Sequence, residues 1–236
     1  MGLDFVLSTN IRDLTPSNIV NLLSIKDLKL IEKIKLLCQE LETEFDLISA
    51  ERKQSLLSLS AYVSQKLKNE ETPQLIVICT HNSRRSHMGQ LWLAAAADYF
   101  ELPKIQTFSG GTEATTFNPR AVKAIEKMGF SVSVEDDSID NPMYHISWKK
   151  EMEPYRAFSK KYSASPNPVE KFGAIMVCTE ADNGCPIVLG CDFRLSLPFE
   201  DPKAFDDTDL ADQMYDERAR QIGREILYSF SNVNQA

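Results

Sequence analysis

Leu75-Ile-Val-Ile-Cys79-Thr-His-Asn-Ser-Arg-Arg85-Ser86-His-Met-Gly-Gln-Leu-Trp92 is the stretch on which the reading of this chain turns. Leu75 to Cys79 has the length and β-branched content of a buried strand, and Ser86 to Phe100 carries a helical pattern. A loop at such a joint surrounds an anion with backbone N–H groups and aims the positive end of the helix dipole at it. The same field favours the thiolate of a loop cysteine, the form that acts as a nucleophile. Cys79 is therefore the candidate nucleophile. Arg85 is a planar two-point ligand for oxyanion oxygens, and Ser86 a hydrogen-bond donor to the thiolate. Thr80, His81, Asn82, Ser83 and Arg84 complete the candidate oxyanion-binding loop. Among the five cysteines only Cys79 combines an arginine at this offset with a preceding strand and a following helix. That favours a site over a buried strand-end thiol beside a surface arginine.

Outward from this loop the chain divides in two. From Gln74 on, Gln74 to Cys79, Ile105 to Ser109, Ala174 to Cys178 and Leu195 to Phe199 are expected strands. Ser86 to Phe100, Pro119 to Met128, Trp148 to Tyr162 and Asp209 to Phe230 are expected helices. Such alternation implies βαβ units in an α/β fold, with a parallel sheet covered by helices on both faces. Phe130 to Val134 and Tyr144 to Trp148, separated by the turn-prone Asp140-Asn141-Pro142, are expected to form an added hairpin. Before Gln74, Ile31, Ile34, Cys38, Leu41 and Phe45 recur at helical spacing. Leu56, Leu59, Val63 and Leu67 do the same after a start near Ser49. The expected division is a helical extension over 1–72 and an α/β domain over 73–236. The extension is read as a packing or homodimerising appendage, and its slightly acidic balance argues against a DNA-reading helix pair.

The 236 residues, 43% hydrophobic and 25% charged, are those of a soluble globular protein. A formal net charge of −8 argues against nucleic-acid and anionic-membrane partners, which need a concentrated positive surface. No apolar run approaches the roughly 18 residues of a membrane span. The first residues lack a basic stretch followed by an apolar core, so a cytoplasmic location is expected. Five cysteines, an odd number over a long chain, fit a reducing compartment better than a disulfide scaffold. His81, His87 and His145 show no ligand spacing with them, and no metal is expected.

Cys79 to Ser86 resembles the phosphate loop of the low-molecular-weight protein tyrosine phosphatase superfamily, which includes the thioredoxin-coupled arsenate reductases. Further matching segments are Phe108-Ser-Gly-Gly-Thr-Glu113, Asn118 to Gly129 and Glu200-Asp201-Pro202, so the resemblance spans about Gln74 to Phe230. It implies a four-stranded parallel sheet of flavodoxin-like order, with the loop at the carboxyl end of the first strand. It also implies that Ser109 supports the loop through its hydroxyl. Two positions depart from the family pattern. His81 stands where glycine is usual, which is tolerable if that residue is left-handed. Arg84 replaces a neutral residue or cysteine and is expected to add positive charge at the rim.

Asp201 precedes a proline in a loop after an expected strand, and by resemblance it is the general acid. The leaving oxygen departs poorly until protonated, although a solvated Asp-Pro turn is the plain alternative. Cys178 ends an expected strand and Cys185-Pro186 follows across a polar segment containing Asn183 and Gly184. By resemblance these two thiols carry electrons out of the site. Joining them requires their Cα atoms to come within about 7 Å, so the segment must move. Two inert buried thiols are the alternative.

Three functions follow. An arsenate reductase would use Cys79 and a Cys178–Cys185 pair, with a thioredoxin-type reductant and no resident cofactor. A phosphatase would hydrolyse phosphotyrosine or another phosphate monoester through a Cys79 phosphoenzyme. Lys203-Ala204, where aromatic residues usually follow the Asp-Pro, weakens the phosphotyrosine form of that reading. A non-catalytic oxyanion sensor, contacting a partner through its helical N-terminus, is the third.

Overall fold

A computed structural model describes residues 30–102, 104–184 and 187–234. Among the described residues two helices come first, α1 (Glu32–Glu42) and α2 (Ala50–Lys68). Then follow β1 (Gln74–Cys79), α3 (Arg85–Tyr99), β2 (Gln106–Gly111), α4 (Pro119–Met128) and three short strands, β3 (Ser131–Val134), β4 (Tyr144–Ser147) and β5 (Tyr155–Ala157). The chain closes with β6 (Phe172–Met176), α5 (Thr179–Gly184), β7 (Cys191–Ser196) and α6 (Ala211–Ser231).

The main sheet has the order β2-β1-β6-β7 with every pairing parallel, the flavodoxin-like order. β1 is central, and Leu75, Ile76, Val77 and Ile78 are at most 1% exposed, as a parallel strand covered on both faces requires. α3 packs on β1 and β2, and α6 gathers α1, α2, α3 and α4 around itself. The helices before β1 thus share one core with the sheet: Ile34, Cys38, Leu56, Leu59 and Val63 are fully buried with Trp92 and Tyr215.

Local chemistry sets the element ends. Ser49 caps α2 by accepting from Arg52 N at 3.2 Å. Asn118 caps α4 by accepting from Arg120 N at 2.9 Å, Pro119 opens the helix, and Gly129 at φ 109° closes it. The expected hairpin is present as β3 paired with β4, and β5 adds a third antiparallel strand.

That third strand corrects one expectation. Trp148 to Tyr162 is not helical; β5 pairs Tyr155 with Ile146, and Lys161 bridges Gly111 beyond it. Pro154 explains the failure, since proline removes a helical donor and pushes the preceding Glu153 toward extended backbone. Among the described residues no helix is long and apolar enough to cross a membrane.

Candidate active site

The end of β1 runs into a tight loop that delivers the chain to α3. Its carbonyls are tied from outside: Thr112 N donates to Cys79 O at 3.1 Å, Glu113 N to Thr80 O at 2.8 Å, Ser159 Oγ to His81 O at 2.9 Å and Asn118 N to Ser83 O at 2.9 Å. With the carbonyls held this way, the loop's N–H groups are left for an anion. The two chains of contacts demand close approach. A Cβ at Gly111 would stand 2.3 Å from Glu113 O and 2.6 Å from Thr80 O, and one at Gly110 would stand 2.3 Å from Tyr162 Cα. Glycine is required at both.

Inside the loop Cys79 Sγ lies 3.0 Å from Ser86 Oγ. Asn82 Nδ2 donates to the same Ser86 Oγ at 2.9 Å, so the serine's own proton is available to the sulfur. Asn82 is held in turn by Lys160 N, which donates to its Oδ1 at 2.9 Å. Asn82, not His81, adopts the left-handed backbone, at φ 46°. Asparagine tolerates that region well, which corrects the expectation for His81. His81 stays at the exposed rim, with Nε2 3.7 Å from Glu113 Oε2.

Arg85 is buried, and its fork is occupied. Nη1 donates to Phe199 O at 2.7 Å and Nη2 to Asp201 Oδ2 at 2.6 Å. Asp201 Oδ1 also accepts from Lys203 N at 3.1 Å, opening a short 3-10 turn over Pro202–Phe205. Cys79, Thr80, His81, Ser83, Arg84, Arg85 and Asp201 line one small cleft. Arg84 lines this cleft with its charge partnered: its Nε donates to Tyr215 Oη at 2.7 Å and Nη2 lies 3.6 Å from Asp206 Oδ2.

Cys178 is fully buried and its Sγ lies 3.4 Å from Thr80 Oγ1, the residue after Cys79. The sheet puts it there, because β1 and β6 pair with Ile78 opposite Met176 and Val177 N donates to Ile78 O at 2.9 Å. Ala181 N, in the first turn of α5, also donates to this sulfur at 3.4 Å. Cys185 and Pro186 lie outside the described residues. Ser109 is buried, and its hydroxyl meets His87 Nδ1 at 3.4 Å, so it touches α3 just beyond the loop.

Two buried basic groups stand behind the loop, and the sequence marked neither as part of the site. His87 stacks on Phe117 at 3.9 Å, and burial, with Lys160 nearby, holds its pKa well below the ordinary value. Lys160 is buried with its ammonium 4.9 Å from the Phe158 ring centre, and burial pushes its pKa down to about 8. Lys160 falls in the segment expected to be helical, and nothing in the sequence marks it.

No protein-family model matches the chain. It is 27% identical over 126 residues to arsenate reductase 2 of Staphylococcus epidermidis, spanning 53% of this chain and 75% of that one. It is 26% identical over 125 residues to arsenate reductase 2 of Staphylococcus haemolyticus, with the same coverage of 53% and 75%. Among solved structures, a low-molecular-weight phosphotyrosine phosphatase from Vibrio cholerae matches with a TM-score of 0.43 and 14% identity, covering 66% of this chain and 93% of that one. An arsenate reductase in the phosphate binding state matches with a TM-score of 0.41 and 16% identity, covering 69% and 99%. In sequence the chain is similar to these arsenate reductases, at 26–27% identity over about half its length.

Proposed function

We propose that this chain is an arsenate reductase. The observation that carries the reading is Cys178 Sγ at 3.4 Å from Thr80 Oγ1, a second thiol beside the nucleophile loop. Hydrolysis has no use for such a thiol. The similarity to arsenate reductases supports the same reading.

In the proposed sequence arsenate occupies the N–H groups of the loop and takes Arg85 donors now held by Asp201. The Cys79 thiolate forms a sulfur–arsenic bond, and one arsenic–oxygen bond breaks as Asp201 gives its proton to the departing oxygen. The Cys178 thiolate then attacks Cys79 Sγ. The sulfur–arsenic electron pair passes to arsenic, which leaves as arsenite, and a Cys79–Cys178 disulfide remains. Cys185 attacks Cys178, returns Cys79 as thiolate, and leaves a Cys178–Cys185 disulfide for an external thioredoxin-type dithiol to reduce. No resident cofactor takes part.

The second reading is phosphate-monoester hydrolysis, since Cys79, Arg85 and Asp201 also suffice for a phosphoenzyme opened by water. The two chemistries share a first step, and aryl-phosphate turnover is expected beside arsenate reduction. Cys178→Ser separates them. It is expected to stop multiple-turnover arsenate reduction and to change kcat/KM on nitrophenyl phosphate by less than about threefold. Arsenate reduction that survives in Cys178→Ser would sink the reductase assignment and leave the phosphatase.

A further inference from the structure

Arg84 sits in the oxyanion loop, yet its contacts lead away from it. It occupies the N-cap of α3 at φ −136° and ψ −88° and caps nothing with its side chain. That side chain, 12% exposed, runs to the segment carrying Asp201. Nε donates to Tyr215 Oη at 2.7 Å, and Tyr215 Oη donates to Asp206 Oδ1 at 2.8 Å. Nη2 stands 3.6 Å from Asp206 Oδ2, and Nε 4.0 Å from Asp201 Oδ1. Asp201 and Asp206 bracket the 3-10 turn Pro202–Phe205, so both ends of that turn face arginines of one loop, Arg85 at Asp201 and Arg84 at Asp206. Tyr215, fully buried on α6, bridges Arg84 to Asp206.

We propose that Arg84 is a positioning residue, which ties the segment 201–206 to the oxyanion loop through Tyr215 and Asp206 and acts on the reaction by way of Asp201. The inference rests on the reading of Asp201 as general acid. Proton transfer demands that the acid sit within hydrogen-bond reach of the leaving oxygen, and that oxygen's place is fixed by the loop. A side chain anchored in the loop and linked through Tyr215 to the Asp206 end of the acid segment fixes one relative to the other. Without Arg84, Asp206 keeps Tyr215 and Arg120, whose Nη1 is 3.5 Å away, so the segment stays folded; its remaining tie to the loop is Arg85 to Asp201 at 2.6 Å, for which an incoming oxyanion competes.

The test compares phenyl phosphate, whose leaving group needs a proton, with nitrophenyl phosphate, whose leaving group hardly does. For Arg84→Gln and Tyr215→Phe, kcat/KM is expected to fall about tenfold on phenyl phosphate and less than about threefold on nitrophenyl phosphate. The inhibition constant of inorganic phosphate is expected to stay within about threefold, since the loop and Arg85 are intact. Adding Arg84→Gln to Asp201→Asn is expected to cost nothing further, because the two act as a unit. Equal losses on both esters with weaker phosphate inhibition would make Arg84 a substrate ligand and overturn the proposal, as would no loss at all. If Asp201→Asn shows the leaving-group dependence and Arg84→Gln does not, only this inference fails. If Asp201→Asn itself shows none, or neither ester turns over, the general-acid reading fails and takes the inference with it.

Discussion

Ser86 has one proton to give, and the contacts around it decide where that proton goes. Asn82 Nδ2 already donates to Ser86 Oγ, which leaves the hydroxyl hydrogen for Cys79 Sγ at 3.0 Å. Arg85 is placed as tightly, with Phe199 O and Asp201 Oδ2 on the two arms of its fork. An incoming tetrahedral anion must trade for those partners, and a planar fork offers it two parallel donors where an ammonium offers a point charge. Arg85→Lys is therefore expected to lower kcat/KM on nitrophenyl phosphate by more than tenfold, which is about 1.4 kcal/mol of transition-state stabilisation. Steady-state kinetics checks this, and a smaller loss would mean that another group is the main oxyanion ligand.

At the scale of elements, α2 is built onto α6 by polar contacts as well as apolar ones. Arg52 Nε donates to Glu225 Oε2 at 2.6 Å, with the Glu225 side chain 5% exposed. Ser60 Oγ donates to Ser229 O at 2.6 Å in the core. Breaking a charged hydrogen bond at a buried carboxylate costs about 1.5–3 kcal/mol, because the partner left behind stays desolvated. Arg52→Met is expected to lose that much in denaturant unfolding while its apolar stem keeps the packing. A loss under about 0.5 kcal/mol would show that the pair is a solvated surface contact.

For the whole molecule, His87 and Lys160 make stability depend on pH in a defined direction. Both are buried with pKa values lowered by burial, so the unfolded chain binds more protons than the folded one in two windows. For His87 that window lies below its ordinary value of about 6.5, and stability is lost as pH falls through it. For Lys160 it runs from about 8 up to the ordinary 10.5, and stability is gained as pH rises through it. Cys38 opposes this at the alkaline end: burial raises its pKa to about 12, so stability falls above its ordinary 9.0. Comparing urea midpoints of the unmodified protein and Lys160→Met from pH 8 to 10.5 isolates the lysine. The variant is expected to lack the rising contribution, and identical slopes would refute it.

The sequence by itself determined the strand–loop–helix unit around Cys79, the limits of α4 and the start of α2, because these depend on interactions within a few residues. Apolar patterning fixes β1, Asn118-Pro119 and Gly129 fix the ends of α4, and Ser49 fixes the cap of α2. Tertiary structure alone decided three things. β5 formed as a sheet strand because its backbone partners lie on β4, about ten residues away in sequence, although Pro154 already argued locally against the expected helix. Lys160 N came to hold Asn82 across a separation of 78 residues, which no local pattern encodes. The Arg84 side chain came to lie against Tyr215 and Asp206, because a partly buried guanidinium must find acceptors and these stand on the acid segment and α6.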